Sequence, residues 1–504
     1  MMPRRPWYED AVFYELRVRS FADGSGGGVG DFAGLRRALP YLERLGVDAL
    51  WLTPIHPSPL KDDGYDVSDF FAVHPDHGTL EDFKAFLREA HRRGLKVLLD
   101  LVLNHVSDRH PWFEDARRPG SPRRDWFVWS PTKDRYRKAP VIFKDSEPSN
   151  WTWDARAGAF YWHRFYASQP DLNYANPQVL RAMLSVADFW LALGVDGFRL
   201  DAVPYLCERE GTECRGLPET HAVLRALRRH VDRKWPGTVL LAEASGPART
   251  VASYMAGGRE CHMAFDFERT ARLYLALADG DARGLRRCVE ASPRLAPGCR
   301  WGVFLRNHDE LALGLLAPAE RARMLARYAP EPGQRLHGHI VRRLADLLGR
   351  GQGPLLAHAL LLSLPGTPVL YYGDELGMEG DASLPDRFSQ RTPMDWRAAK
   401  RQAADPRSLL RSVSRLLSLR RAHPALARGA CRFLDAGDEG VLAFARELPG
   451  ERILVAANLS GRRVRVRLRG RLPGHAVDLS TGRTVPTRTL ELGPRGFVWM
   501  RSSK

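Results

Sequence analysis

The chain predicts an α/β fold: a (β/α)8 TIM barrel with an inserted domain after strand three and a C-terminal antiparallel β-sandwich. Three observations carry this expectation. Short apolar strand-like runs alternate with amphipathic helical stretches along most of the 504 residues, as in barrels of parallel strands with crossover helices. Three of those runs close on a carboxylate, at Asp201, Glu243 and Asp309, and barrel strands end together at one mouth. Beyond about Phe433 the pattern turns to short alternating runs such as Val441–Ala445 and Ile453–Ala457, cut by turn residues.

Strand one is read over Val12–Phe21 and strand two over Ala49–Ile55, after a helix over Leu35–Leu45. Strand three is Leu95–Asn104, after a helix over Leu80–Arg93. Strand four is Val195–Asp201, after a helix over Pro177–Leu193. Val239–Glu243, Met263–Phe267, Val303–Asp309 and Pro368–Gly373 complete the eight. The expected domains are a first barrel part over 1–104, an inserted domain over 105–176, a second barrel part over 177–425, and the sandwich over 426–504. The insert is irregular and rich in Trp, Pro, Arg and Asp, and loops that long at a barrel mouth are usually functional. Leu311–Gly353 is helical and basic, and is expected to form a lid or side subdomain.

Composition narrows the class. A hydrophobic content of 44% is ordinary for a globular protein. The net charge of +17 comes mostly from Arg spread along the chain. No dense basic block interleaved with aromatics appears, so no nucleic-acid partner is expected. No apolar leader core or membrane-length run is seen from Met1–Met2–Pro3–Arg4 onward, so the reading is cytoplasmic, with no membrane. The six Cys show neither metal-ligand spacing nor disulfide density, and Cys207 is read as a buried thiol. Most of the 13 Trp are expected in cores. The sequence leaves a homo-oligomer open.

Two carboxylates flanking a sugar bond are the machinery of retaining glycoside chemistry. Arg199 and Asp201, two apart on one strand, face the same side, and a cation there is expected to hold Asp201 ionised as a nucleophile. Glu243 must carry a proton at the start to help the leaving oxygen depart. Asp309 can bridge sugar hydroxyls and stabilise the oxocarbenium-like state. His105 and His308 suit hydrogen bonds to hydroxyls, and Tyr65 offers an aromatic face.

The residues around these positions resemble the α-amylase family, glycoside hydrolase family 13. The motifs are Asp100–His105, Gly197–Val203, Glu243 and Asn307–His308–Asp309, with Gln169–Asn173 and Arg391–Trp396 pointing to one branch. The likeness runs through Trp7–Phe113, Asp201–His221, Glu260–Phe265 and Phe304–Leu311. It implies that Asp201, Glu243 and Asp309 are catalytic. Asp62, Tyr65, His105, Gln169, Arg199, His308 and Arg391 would bind substrate. The reaction implied is a retaining, intramolecular glucosyl transfer that interconverts maltose and trehalose, with some hydrolysis to glucose. The alternative is an α-glucosidase or glucosyltransferase of the same branch acting on maltose, sucrose or short maltosides. A non-enzymatic barrel of the transporter heavy-chain kind normally lacks the full catalytic set.

The resemblance also implies a structural Ca2+ held by Asn104, Asp171, Glu208 and the carbonyls of Tyr205 and Leu206, and no organic cofactor. A second cation loop of the branch is not expected here, because Gly27 replaces a carboxylate in Asp23–Asp31. Two further departures stand out. The loop after Glu243 reads Ala244–Ser245–Gly246–Pro247 where the family usually has Asn-Gln-Trp-Pro, and Arg387 is followed by Phe388 where Asn is usual. The chain is also shorter than typical members.

Overall fold

The computed structural model describes residues 5–470 and 472–502 of the chain. The N-terminal residues Met1–Arg4 and the last two of the sandwich reading, Ser503 and Lys504, lie outside the described residues. Eight parallel strands close into a barrel: β1 (Phe13–Leu16), β2 (Ala49–Leu52), β3 (Lys96–Val102), β7 (Gly197–Asp201), β8 (Val239–Ala242), β9 (Met263–Phe265), β10 (Arg300–Phe304) and β13 (Thr367–Tyr371), with β1 pairing β13. Intervening strands are β4 (Trp129–Ser130), β5 (Trp151–Asp154) and β6 (Ala159–Trp162) in the insert, and β11 (Arg335–Leu336) and β12 (His339–Ile340) after Asp309.

Side chains fill the barrel interior, so it is no pore. Phe13, Trp51, Leu98, Leu241, Met263, Phe265, Phe304 and Val369 form that inner cluster, each 4% exposed or less. Helix boundaries follow local chemistry. Asp31 caps the helix Phe32–Leu45, accepting from Gly34 N at 2.6 Å, and Gly46 ends it at φ 98°. Thr79 and Asp82 form a capping box on Leu80–Arg92. Asn176 caps Pro177–Ala192, with Pro177 in the first turn.

Three readings are corrected. Strand one stops at Leu16, and Val18–Phe21 is a helical turn. The seventh barrel strand is Arg300–Phe304, so Asp309 follows it on a turn. That turn is fixed by buried Arg306, whose guanidinium donates to Arg342 O at 2.8 Å and Asp309 O at 2.7 Å. The basic stretch after Asp309 is not all helix. Between the helices Pro318–Tyr328 and Leu344–Leu348 it forms the β11–β12 hairpin, turned by His337 at φ 49° and Gly338 at φ 75°.

Between β3 and β7 the chain builds a small antiparallel sheet, β4–β6–β5, around Tyr136, Trp151 and Trp162. Beyond the barrel, a six-stranded antiparallel sheet over Ala430–Ser502 packs with the pair Val464–Arg467 and Thr489–Leu492. Trp51, Trp162, Trp190 and Trp499 are buried as expected, while Trp153 is exposed. Among the described residues the cysteines are free, and Cys207 is a buried thiol that burial pushes up to about 12. No described helix is long and apolar enough to cross a membrane.

Candidate active site

Asp201 is the last residue of β7, and Glu243 directly follows β8, its N–H donating to Leu200 O at 3.0 Å. Adjacent parallel strands therefore bring both carboxylates to the same end. Ala202, next to Asp201, is left-handed at φ 49°, and its N–H donates to Glu243 Oε2 at 2.9 Å. Strain of that kind persists where the surroundings over-determine it, and it gathers at functional sites.

Arg199 lies beneath both acids and is 1% exposed. Its Nη1 meets Asp201 Oδ1 at 2.5 Å and Asp100 Oδ1 at 2.6 Å, and its Nη2 meets Glu243 Oε2 at 3.0 Å. Asp100 Oδ2 also accepts from Trp51 Nε1 and Tyr65 OH, both at 3.1 Å. Three carboxylates thus surround one guanidinium. Burial holds Asp201 well above the usual carboxylate range, Arg199 pulls it down, and Glu243 and Asp100 push it up again. Arg199 thus supports the ionised form of Asp201, as expected from its place on the strand, but works against desolvation and the neighbouring carboxylates.

Across the mouth, Asp309 faces His308 Nε2 at 3.0 Å, Arg391 Nη2 at 3.1 Å and Arg387 Nε at 3.4 Å. Its buried carboxyl is nonetheless held well below the usual range, because these cations outweigh desolvation. His308 is buried, which disfavours its charge, yet Asp309 and Glu15 raise it to about 10. Glu15 Oε1 binds His308 Nδ1 at 2.5 Å. Tyr65 stacks on His308 with ring centroids 5.4 Å apart. Arg391 is further tied to Asp63 Oδ2 at 2.6 Å and to His308 O at 2.9 Å.

A cleft of about 280 Å3 opens over these groups, walled in part by Asp62, Tyr65, His105, Asp201, Glu243 and Asp309. Gln169, Arg199, His308 and Arg391 stand one layer back. Gln169 Nε2 donates to Asp62 Oδ2 at 2.9 Å and lies 3.2 Å from His105 Nε2. Burial pushes His105 down to about 3, so its ring is neutral. Burial also raises Asp62 against the pull of Arg387 and Arg391.

Several wall residues carried no sequence signal. Arg387, noted only for its neighbour, reaches Glu310 Oε1 at 3.0 Å and Asp62 Oδ1 at 3.4 Å, and lies over the Phe143 ring. Phe143 and Phe165 come from the insert, and His337 and His339 from the hairpin. These side chains meet only through tertiary contacts between distant loops. The unfamiliar Arg387–Phe388 pair was the single pointer, and Phe388 itself is 41% exposed.

Behind His105, buried Asn104 Oδ1, Asp171 Oδ2 and Glu208 Oε1 have no hydrogen-bond partner. Burial raises Asp171 to about 8, and burial together with Asp171 raises Glu208 well above the usual range. Tyr205 and Leu206 lie on the short turn between Ala202 and Glu208. Among the described residues no group of three or more His, Cys, Asp or Glu gathers as a metal cluster. Two carboxylates and an amide oxygen are a hard, oxygen-only donor set, which suits Ca2+ rather than a thiophilic or imidazole-bound metal. In the Asp23–Asp31 loop the carboxylates are already committed. Asp23 accepts from the N–H of Ser25, Gly26 and Gly28, and Asp31 from those of Gly24, Ser25 and Gly34.

The model of the alpha amylase catalytic domain matches residues 16–326, and that of the maltogenic amylase C-terminal domain matches 431–499. The chain belongs to the α-amylase family. This family member is 47% identical to a trehalose synthase of Thermus thermophilus over 90% of its own length, but spans only 50% of that protein. It is 44% identical to a trehalose synthase of Pimelobacter sp., with 98% and 96% of the two chains covered. Among solved structures it resembles the alpha-glucosyl transfer enzyme XgtA, with TM-score 0.82, 31% identity, and 99% and 100% coverage.

Proposed function

We propose that this α-amylase-family chain interconverts maltose and trehalose by a retaining, intramolecular glucosyl transfer, with some hydrolysis to glucose. The observation that carries the reading is the convergence of Asp201, Glu243 and Asp309 on one cleft, in a chain 47% identical to a protein named trehalose synthase. In the first step Asp201 attacks C1 of the outer glucosyl unit. The bond from C1 to the leaving oxygen breaks, and Glu243 gives that oxygen its proton. Positive charge growing at C1 favours the ionised form of Asp201.

Asp309, held anionic by His308, Arg391 and Arg387, grips ring hydroxyls. Neutral His105 can donate or accept at the same ring. The freed glucose turns over within the cleft and offers its anomeric hydroxyl. Glu243 takes that proton, the ester to Asp201 breaks, and an α,α-1,1 bond forms. Two displacements leave the α configuration unchanged. Holding the glucose in place gives it a large advantage over bulk water. Asn104, Asp171, Glu208 and the carbonyls of Tyr205 and Leu206 would hold a Ca2+ whose role is structural, joining the insert to the barrel.

The second reading, an α-glucosidase or glucosyltransferase acting on maltose, sucrose or short maltosides, is favoured by one feature. Ser245, beside the acid/base, is exposed, so water has a path. Incubation with maltose separates the two readings: trehalose is expected in excess over free glucose, and glucose alone would replace the first reading with the second. Asp201→Asn should lower either activity by about four orders of magnitude or more, and full retention would remove Asp201 from the mechanism.

A further inference from the structure

The parallel strands that carry Asp201 and Glu243 to one end of the barrel gather their own starts at the other end. A second cleft, about 770 Å3 and larger than the catalytic one, opens there. Lys96 begins β3, and Thr238, His262 and Cys299 directly precede β8, β9 and β10. Trp7 and Tyr8 lie on the turn before β1, and all six line this cleft. Sites for small molecules usually enclose about 300 to 1,000 Å3.

The lining offers hydrogen-bond donors, while its acceptors are largely taken. Gly237 O accepts from Trp7 Nε1 at 3.0 Å, and Gly298 O accepts from Tyr8 OH at 2.7 Å. His262 Nδ1 accepts from Leu240 N at 3.0 Å. Burial, with Arg228 nearby, pushes that ring down to about 3, so it is neutral and its one N–H sits on Nε2. This Nε2 is 3.8 Å from Asp232 Oδ1, too far for a hydrogen bond. Arg228 donates from Nε to Asp232 at 2.8 Å and from Nη1 to Glu260 O at 2.7 Å, and its Nη2 makes no hydrogen bond among the described residues. Lys96 Nζ meets Asp196 Oδ1 at 2.7 Å, and its side chain is 42% exposed. Arg5 is exposed and forms no ion pair among the described residues. No Asp or Glu lines the cleft among the described residues. Even with Asp196 and Asp232 counted against Lys96 and Arg228, one positive charge is left over, which favours an anionic ligand rich in acceptors.

Two guanidiniums and an ammonium present more N–H groups than the two oxygens of one carboxylate can take, whereas the terminal oxygens of a phosphate can engage all three side chains. An inorganic ion alone would leave most of the space unfilled. The rest of the wall is flat and apolar: Pro6, Pro236 and Pro297, with the half-buried Trp7 ring stacked on Phe13 at 5.7 Å between centroids. Lys96 Nζ lies 6.0 Å from the Trp7 ring centroid, so the charged and flat parts adjoin. We infer that this cleft binds a small phosphate ester, its phosphate at Arg5, Lys96 and Arg228 and its organic part against Trp7 and the prolines. A nucleoside phosphate and a sugar phosphate share that chemistry.

The test is calorimetric titration of the intact protein, in a phosphate-free buffer of low ionic strength, with ATP, glucose 6-phosphate and inorganic phosphate. The variants are Arg5→Gln, Lys96→Gln and, as a control on the C-terminal sheet, the exposed Arg467→Gln, each first shown to be folded by thermal unfolding. At least one ester should bind with a Kd of about 1 mM or tighter, and inorganic phosphate should bind about tenfold more weakly. Arg5→Gln and Lys96→Gln should each weaken the ester about five- to tenfold through the lost charge-assisted hydrogen bonds, and Arg467→Gln should leave it unchanged. Tighter ATP identifies a nucleoside phosphate as the ligand class, and tighter glucose 6-phosphate identifies a sugar phosphate. Neither ester binding, or an unchanged Kd in either cleft variant, would overturn the assignment. So would an equal loss in Arg467→Gln, which marks attraction to the net charge alone, or inorganic phosphate binding as tightly as both esters. Because Arg5 and Lys96 lie at the far end of the barrel from Asp201, ester binding in the catalytic cleft would not respond to their substitution.

Discussion

His308 owes its charge to its neighbours. Asp309 and Glu15 overcome its burial and raise it from 6.5 to about 10. A raised folded value means that the fold favours the protonated ring. The resulting stabilisation is complete below about pH 6.5, the unfolded value, and is lost as pH rises through about 10. Denaturant unfolding followed from pH 6 to 10.5 should therefore show stability falling across that window. His308→Gln should be less stable at neutral pH and should lack that part of the slope; an unchanged slope would show that the His308 charge is not the cause. The residue scale was also where sequence reading was most informative. Asp201, Glu243, Asp309, Tyr65 and His105 end apolar runs or sit in recognisable motifs, and all reach the cleft wall. The charge balance was not readable, because Asp100 and Glu15 belong to other strands and only folding sets them against Arg199 and His308.

At the scale of elements, the strands and the longer helices follow from apolar periodicity and capping residues, with errors of a few residues at their ends. The β11–β12 hairpin did not follow, since its strands are two residues each and too short for any period to register. That hairpin matters for the cleft. His337 at its tip stacks on Phe143 of the insert at 4.7 Å and meets Asp145 Oδ2 at 3.1 Å. Two segments distant in sequence are thus clasped across the mouth. Because Asp145 is 66% exposed, this polar contact contributes little, about 1 kcal/mol or less, and the stacked ring does the closing. His337→Ala should raise the share of turnovers ending in free glucose about two- to fivefold, with the rate of maltose consumption much less affected. The ratio of glucose to trehalose released from maltose measures it, and an unchanged ratio would show that the clasp does not govern water entry.

Across the whole molecule, the basic excess has partly an internal explanation. Arg164, Arg199, Arg306, Arg343, Arg420 and Arg446 are fully buried, and several cap backbone carbonyls, as Arg420 does for Leu362 O at 2.6 Å and Leu426 O at 2.9 Å. The insert depends on a costlier arrangement, with Asp171 and Glu208 buried together beside the barrel. Ca2+ should relieve that repulsion. At a concentration about 100 times its Kd it would stabilise the fold by about 2.7 kcal/mol, so the melting temperature should rise with added Ca2+ and fall with a chelator; no response to either would remove the proposed ion. The barrel and the C-terminal antiparallel sheet were readable from alternation, but the joining of insert, hairpin and barrel over one cleft was not, because no local pattern encodes it. The central claim is that glucose is transferred without leaving that cleft. It is tested most directly by incubating the protein with unlabelled maltose in a bath of 13C-glucose and following the anomeric signals by NMR. The account predicts α,α-trehalose free of 13C. Trehalose carrying the label, or glucose with no trehalose, would contradict it.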